Sequence, residues 1–548
     1  MAIEGFTPYR KEEAEEYDRN RWWLGMTWGM LFDKATDVYP WKEALTDGVN
    51  RDTYRQLREK VDKLAIALIN LGIKPAERVM VQAPNWSEFI YAFYAVQKIA
   101  AIPVLLIPRQ SHNEIIHMCN ITDPIAWIIP ERHGRTDYLP LIESVQTEYK
   151  KLRNIITVRA ESDKYTKLER LIEDTELNEE NLRKLRERRA DPNEVAQILP
   201  TGGTTGMPKA VARAHNPYLC NVEYHVRALE ITSDDVVMTI APMSHAQGLL
   251  CGIGHSMFAM AKFVLCDSTK PDDMCRMIQE EKVTSIGTVP TLVDRIVNYE
   301  KIGDYDLSSL KHIMAGGAMS TPDLIEKVYA RLGCRYVNEF GSSEGTHCST
   351  RANDDLDTIL HKVGKPCCPY DRYKVINPAT GKDLGLNVEG ELVAKGPSVF
   401  TGYFRSPEIN EEIFTGDGFF RTGDLAKIDE GGYITITGRI KDIIIRGGEN
   451  LSAPEMEELI KSHEKVRDAA VVGMPDRLLG ERACAYIVPE AGWEPTLEEI
   501  VAYLKNRGAS VLQLPERVEK IRELPLTGVG KVDKKALRED IKAKVEAG

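Results

Sequence analysis

The sequence predicts a large α/β domain followed by a small α+β domain. Three observations carry that expectation. From about residue 50 to 345 short apolar runs alternate with helix-like stretches; from about 370 to 440 the texture turns to β-branched runs broken by turn residues; and the remainder, roughly 442 to 548, mixes helices with strands. At 548 residues the chain is also too long for one ordinary core, because single cores stop growing beyond about 250–300 residues.

Taken in chain order, TYRQLREKVDKLAIALINLG has the spacing of an amphipathic helix. The runs RVMVQAP, AIPVLLIP, AWIIP, VVMTIAP, KFVLCD and SIGTVP are bounded by Pro, Gly or Asp and separated by helical periods. They read as buried parallel strands of α/β units. Residues 146–192 include LNEENLRKLRERRADP, whose acids and bases are interleaved, so it reads as a solvated helix face before a loop rather than a nucleic-acid helix. YKVINPATGKDL, EGELVAKGP and GGYITITGR have the form of antiparallel hairpins. In the last segment APEMEELIKSH and TLEEIVAYLKNRG are helical, and DAAVVGMP, RACAYIVP and RVEKIREL are strands, a set that suits a small separate domain. Internal repeats and low-complexity tracts are absent from the sequence.

Composition narrows the function classes. The chain is 43% hydrophobic and 28% charged, as globular proteins are. No apolar run reaches the roughly 18 residues of a membrane span. The start, MAIEGFTPYRKEEAEEYDRNRWW, lacks the apolar core of a signal peptide, which places the protein in the cytoplasm by default. A net charge of -12 argues against nucleic acid as a partner. Ten cysteines are scattered, and Cys367 and Cys368 are neighbours without a CxxC partner. The spacing therefore gives no zinc motif, and the expectation is reduced thiols, several of them buried as small apolar residues.

The most informative segment is QILPTGGTTGMPKAVARAH, where an apolar run ends in a Gly/Thr loop and then meets a lysine. Glycines let backbone N–H groups approach phosphate oxygens, hydroxyls add donors and a lysine adds charge. Thr201, Gly202, Gly203, Thr204, Thr205 and Lys209 thus form a candidate phosphate cradle. It is not a Walker loop, because Lys209 does not directly follow the last glycine and Ala210 stands where Ser or Thr should bind magnesium.

At this point the sequence resembles the adenylate-forming superfamily, which includes acyl-CoA synthetases, peptide-synthetase adenylation domains and beetle luciferases. The resemblance runs from about residue 25 to the C-terminus and rests on motifs in the family's order: the cradle, APMSHAQG, MAGGA, NEFGSSEG, GFFRTGD, GRIKDIIIRGGEN and PLTGVGKVDKK. It implies a large domain, 1–440, of two stacked α/β sheet subdomains plus a small β-barrel-like subdomain at about 370–440. A small mobile α+β domain, 441–548, follows, with the hinge at Lys441.

The resemblance also implies residue roles. Gly316, Gly317 and Ala318 pass backbone along the nucleotide, and Glu339, Phe340, Gly341, Ser342 and Ser343 belong to the same ATP/AMP site, with Phe340 stacking on adenine. Glu344 helps to hold Mg2+, a hard cation that takes oxygen ligands. Asp424 accepts from the ribose hydroxyls and Arg439 reaches ribose or phosphate. Lys531 bridges the attacking carboxylate and the ATP phosphates, and His245 completes the catalytic set. Gly447 and Gly448 line a channel for the pantetheine arm of coenzyme A. Read alone, several of these have plainer readings: a solvated loop carboxylate for Glu344, a core aromatic for Phe340, an exposed hairpin lysine for Lys531, a packed histidine for His245, a strand-end turn for the two glycines.

In detail the sequence is similar to the aryl-acid branch, which holds 2,3-dihydroxybenzoate:AMP ligase and benzoate- or cyclic-carboxylate:CoA ligases. Where dihydroxybenzoate enzymes place an Asn that reads the ortho hydroxyl, this chain has Ala246, which favours an acid lacking that group. The acid pocket is expected at His245, Ala246, Gln247 and the backbone near Gly317. Gln513 stands where related sequences often place a lysine, which leaves the thiol-side contacts open. The expected activity is an AMP-forming acid:CoA ligase that uses ATP, Mg2+ and coenzyme A, reversible towards ATP, acting on a compact cyclic carboxylic acid. The alternatives are a stand-alone aryl-adenylating enzyme that loads a carrier protein, and a non-ligase relative. A monomer or homodimer without membrane partners is expected.

Overall fold

The computed structural model describes residues 3–201, 207–446, 449–507, 509–510, 513–527 and 531–547. The α/β class holds, and the chain packs as two compact units. The first contains the chain up to Thr201 together with Met207–Arg372 and Lys395–Phe414; the second contains Tyr373–Ala394 and the chain from Thr415 onward.

The first unit holds two sheets. One has nine strands in the order Lys365–Pro366, His347–Ser349, Arg335–Gly341, His312–Ala315, Ser285–Thr288, Val236–Thr239, Lys262–Leu265, Glu43–Thr46 and Arg51–Thr53. Its centre, from Arg335–Gly341 to Glu43–Thr46, is parallel. The other has seven strands in the order Ala210–Ala214, Val195–Pro200, Ile102–Leu105, Arg78–Val81, Pro124–Pro130, Asn154–Val158 and Thr166–Lys167. It is parallel except for its antiparallel edge Ala210–Ala214. All six apolar runs singled out in the sequence lie in these sheets, and their continuous apolar character is what burial on both faces requires.

Helices explain that burial. Tyr54–Asn70 starts at a capping box of Thr53 and Gln56 and buries Leu57, Val61, Leu64 and Leu68. Ser87–Lys98 is buried at every residue up to Gln97, the pattern of a helix covered on all sides. It packs on both Tyr54–Asn70 and the strands Arg78–Val81 and Ile102–Leu105. In contrast, Glu179–Arg186, from the charged stretch, is capped by Asn178 and buries only Leu185. That is the solvated helix its interleaved charges suggested.

The second unit has a four-stranded sheet, in the order Arg372–Ile376, Gly390–Lys395, Phe420–Ile428 and Ile434–Arg439, whose last three strands pair antiparallel. A further sheet joins Glu449–Ser452, Ile443–Arg446, Gly480–Pro489 and Val466–Asp476, with Arg517–Lys520 added parallel to Gly480–Pro489. Of the β-rich segment at about 370–440, Tyr373–Ala394 and the chain from Thr415 thus pack with the C-terminal residues, while Lys395–Phe414 belongs to the first unit. The reason is local: Ile434–Arg439 runs directly into the 3-10 turn Ile440–Asp442 and touches helix Ala453–Lys461. All ten cysteines are free and buried. Among the described residues no helix is long and apolar enough to cross a membrane.

Candidate active site

The phosphate cradle springs from the hairpin of Val195–Pro200 and Ala210–Ala214. Its mouth is closed twice: the Thr201 N–H donates to the Lys209 carbonyl at 2.9 Å, and the Lys209 N–H donates to Thr201 Oγ1 at 3.2 Å. Gly202, Gly203, Thr204 and Thr205 lie outside the described residues. Lys209 Nζ sits 4.5 Å from the centre of the Tyr403 ring, a cation–π contact. The Tyr403 hydroxyl donates to Glu344 Oε1 at 2.6 Å, and the Phe400 N–H donates to the Glu344 carbonyl at 2.7 Å. The loop cation and the expected metal carboxylate therefore share one aromatic neighbour that the sequence reading did not pick out.

Glu344 stands on a stiff support. Buried Arg213 donates to the Ser343 carbonyl at 2.8 Å and to the Ser398 carbonyl at 2.6 Å. Gly345 has φ +99, and a Cβ there would lie 2.2 Å from the Ser398 carbonyl oxygen, so only glycine fits. The Ser398 hydroxyl and N–H donate to Asp371, whose carboxyl burial pushes up to about 7. Arg213, Asp371 and Ser398 escaped the sequence reading; a single arginine inside the small apolar strand AVARA was the one visible sign.

The strand Arg335–Gly341 alternates across its sheet. Phe340 is partly exposed, whereas Glu339 is buried beside His225, and burial pushes its carboxyl up to about 7. The glutamate's side chain therefore faces the interior; what this residue brings to the SSEG loop is its place in the strand. The loop then turns tightly, with the Ser342 N–H donating to the Thr346 carbonyl at 3.0 Å and the Gly345 N–H to the Ser342 carbonyl at 3.1 Å. Gly316 packs against this strand, where a Cβ would lie 3.1 Å from the Glu339 carbonyl oxygen. Gly317, at φ +83, and Ala318 are exposed.

Of the residues expected around the acid, Gln247 shares a carbonyl with Gly316, the neighbour of Gly317, whereas among the described residues no such contact joins His245 or Ala246 to it. The Gly316 N–H and the Gln247 side-chain amide both donate to Thr288 O. His245, Ala246 and Gln247 are each partly exposed. His245 Nδ1 accepts the Gln247 N–H at 3.4 Å, and its carbonyl accepts the Leu249 N–H at 2.9 Å. Buried Asn85, also missed from sequence, anchors the approach to this turn: its amide donates to the Ala241 and Cys266 carbonyls at 3.1 and 3.0 Å and accepts the Met243 N–H at 3.1 Å.

In the second unit Asp424 and Arg439 face each other across the hairpin of Phe420–Ile428 and Ile434–Arg439. Arg439 Nε donates to Asp424 Oδ1 at 2.6 Å. Lys441 lies on the 3-10 turn Ile440–Asp442, and Arg538, from helix Lys534–Ala547, donates to the Lys441 carbonyl at 3.2 Å and pairs with Asp442. Lys531 closes its own glycine loop: the Thr527 N–H donates to its carbonyl at 2.7 Å, and its N–H donates to Thr527 Oγ1 at 3.2 Å. Gly447 and Gly448 lie outside the described residues.

The sequence profile of the AMP-binding enzyme family matches residues 32–404, and that of the AMP-binding enzyme C-terminal domain matches residues 455–531. The chain belongs to the AMP-binding enzyme family. Among its relatives, the 2,3-dihydroxybenzoate-AMP ligase of Bacillus subtilis is 37% identical over 548 residues, covering 100% of this chain and 99% of that one. The 2-hydroxy-7-methoxy-5-methyl-1-naphthoate--CoA ligase of Streptomyces carzinostaticus is 32% identical, covering 97% and 96%. The apo structure of Mycobacterium smegmatis MbtA superposes with a TM-score of 0.74 at 30% identity, covering 98% of both chains. As an AMP-binding enzyme the protein is an ATP-dependent, adenylate-forming ligase.

Proposed function

We propose that this AMP-binding enzyme is an AMP-forming acid:CoA ligase for a compact cyclic carboxylic acid, aromatic or alicyclic, without an ortho hydroxyl. The observation that carries the acid is Ala246, partly exposed in the turn that holds His245 and Gln247. A methyl side chain offers an ortho hydroxyl no partner, and a hydroxyl buried without one loses affinity. The naphthoate–CoA ligase relative supports coenzyme A as the thiol. The AMP ligase relative keeps a second reading in play, delivery to a carrier protein.

The first half-reaction brings a carboxylate to the α-phosphate of ATP, so it needs positive charge where anions gather. Lys209 and Lys531 supply it in this proposal, Asp424 and Arg439 orient the ribose, and Phe340 takes the adenine. Glu344 fits a hard cation: one carboxylate oxygen is held by Tyr403, and the other makes no hydrogen bond among the described residues. Mg2+ held there would neutralise phosphate charge. Lys441 is the proposed hinge, and Gly447 and Gly448 the proposed pantetheine channel, for the thiol half-reaction.

One experiment tests both halves. Pyrophosphate exchange into ATP is measured with benzoate, cyclohexanecarboxylate, 2-hydroxybenzoate and 2,3-dihydroxybenzoate; coenzyme A is then added and thioester followed. Exchange led by the acids without a 2-hydroxyl, followed by CoA thioester, is the expected result. A lead for the 2-hydroxy acids would overturn the acid assignment. Exchange without thioester would transfer the activity to a carrier protein.

A further inference from the structure

The geometry points to a positioning role for the N-terminal arm, residues 3–24, in which Tyr9 and Trp23 hold the segment that carries Tyr403 and so keep Glu344 in place for Mg2+-ATP. This rests on the proposed reading of Glu344 as the metal carboxylate, and it names what fixes that carboxylate from behind. The arm precedes residues 32–404, the stretch matched by the family profile, and none of the motifs read from the sequence includes it.

Residues 396–406, between strand Gly390–Lys395 and helix Pro407–Glu412, form neither helix nor strand. Their backbone polar groups must therefore find partners elsewhere. Successive carbonyls find them on two sides. Pro397 O accepts from Trp23 Nε1 at 2.8 Å and Val399 O accepts from the Tyr9 hydroxyl, whereas Ser398 O, between them, accepts from Arg213. Further along, the Thr401 hydroxyl donates to the Thr7 carbonyl and the Arg405 N–H donates to the Gly5 carbonyl at 2.9 Å. The same stretch reaches the site. The Phe400 N–H donates to Glu344 O at 2.7 Å, the Tyr403 hydroxyl to Glu344 Oε1 at 2.6 Å, and the Phe404 N–H to the carbonyl of Ala210, the residue after Lys209, at 2.8 Å. Tyr403 thus sits between two points, Thr401 and Arg405, at which the arm holds the backbone.

The arm can brace this segment because it is itself fixed. Helix Lys11–Arg19 buries Tyr17, and the Trp23 ring packs edge to face on both Tyr9 and Tyr17, with centroids 5.1 Å apart in each pair. Trp22 stacks on Tyr370 at 4.3 Å, and Glu13 pairs with Lys395 at 2.8 Å. Aromatic pairs in these geometries stabilise beyond the area they bury, and Tyr and Trp each add a polar tip to an apolar body. An arm that only covered apolar surface would have no need to aim two such tips at carbonyls two residues apart.

Tyr9→Phe and Trp23→Phe each remove one donor and keep a ring in the aromatic cluster. ATP binding to the full-length protein is measured by isothermal titration calorimetry with excess Mg2+ and with EDTA, and the ratio of the two dissociation constants reads the metal's contribution. In the double variant that ratio should fall roughly 3-fold or more, the effect of one or two hydrogen bonds, while the affinity in EDTA and the number of sites per chain stay as in the parent. Thr401→Val, which releases the Thr7 carbonyl from the other side, should act in the same direction and serves if the double variant does not fold. Tyr54→Phe is the control for stability alone: it removes a buried hydroxyl that donates to the Ala261 carbonyl at 2.8 Å, and it should lower the melting temperature without moving the ratio. A parent-like ratio in the arm variants beside a lowered one in Tyr403→Phe would overturn the role of the arm and leave Glu344 as the ligand. An equal fall in Tyr54→Phe would reduce the arm to general stability and overturn the role as well. If Mg2+ does not tighten ATP binding to the parent, or Tyr403→Phe leaves the ratio unchanged, the reading of Glu344 fails and the arm's role with it.

Discussion

The two loop lysines are held in the same way. In each case a threonine N–H donates to the lysine carbonyl, and the lysine N–H donates back to the threonine hydroxyl, at Thr201/Lys209 and at Thr527/Lys531. Each pair of bonds ties together the two ends of a glycine-containing segment, and a lysine fixed at its backbone suits a group proposed to meet a developing charge. Lys531→Ala is expected to slow acyl-adenylate formation by roughly 10²-fold or more, the effect of losing one key electrostatic donor, while thioester formation from supplied acyl-adenylate persists. Equal damage to the two half-reactions, each assayed alone, would remove Lys531 from its assigned role. Tyr403→Phe breaks the bond to Glu344 but keeps the ring under Lys209. A hydrogen bond to a charged group contributes about 1.5–3 kcal/mol, so adenylation at limiting Mg2+ should fall by roughly 10-fold or more, with partial recovery at high Mg2+; a loss that no Mg2+ concentration relieves would argue against Glu344 as the ligand. These two residues also show where the sequence is legible. Lys531 and Glu344 stand inside motifs whose spacing reflects one short loop. Tyr403 is 59 residues from its partner, and Arg213 acts on carbonyls 130 and 185 residues away. Such contacts depend on which strands become neighbours, which no local pattern encodes.

At the level of elements, the runs that read as strands did become strands, because an apolar stretch bounded by Pro, Gly or Asp has few other ways to bury itself. Their neighbours were less legible. Val195–Pro200 lies beside Ile102–Leu105 and turns back antiparallel into Ala210–Ala214, so the cradle loop is a hairpin on a sheet edge rather than a strand-to-helix crossover. The β-rich segment shows the same limit: its hairpins were readable, but its packing with the C-terminal residues follows from the 3-10 turn Ile440–Asp442 and helix Ala453–Lys461. This turn carries the proposed hinge. Arg538 grips the Lys441 carbonyl and Asp442 side chain from helix Lys534–Ala547. Lys441→Pro fixes φ at about -65°, freezing the dihedral a hinge has to change. The thiol half-reaction should fall at least ~10-fold more than adenylation, as expected when a gating step is blocked; the reverse order, measured by pyrophosphate exchange and by thioester formation from acyl-adenylate, would refute the hinge.

Across the whole molecule, buried titratable groups make folding depend on pH in both directions. His215, whose Nδ1 accepts the Trp28 N–H at 3.2 Å, and His312 are both pushed down to about 3, chiefly by burial. Below the ordinary imidazole value of about 6.5 the unfolded chain takes up protons there that the folded chain refuses. Their contribution is therefore complete above about pH 6.5 and is lost progressively as pH falls towards 3. Asp371 works in the opposite sense. Burial raises its carboxyl to about 7, so between about pH 4 and 7 the folded chain holds a proton that the unfolded chain has released, and this residue favours folding more as pH falls. His215→Asn, which keeps an acceptor for Trp28, should therefore flatten the fall in melting temperature between about pH 6.5 and 4.5. Asp371→Asn should steepen it over the same window. Thermal unfolding followed by circular dichroism across that range reads both slopes, and because the two variants must move them in opposite directions, a shift of both in one direction would rule out burial of these groups as the cause.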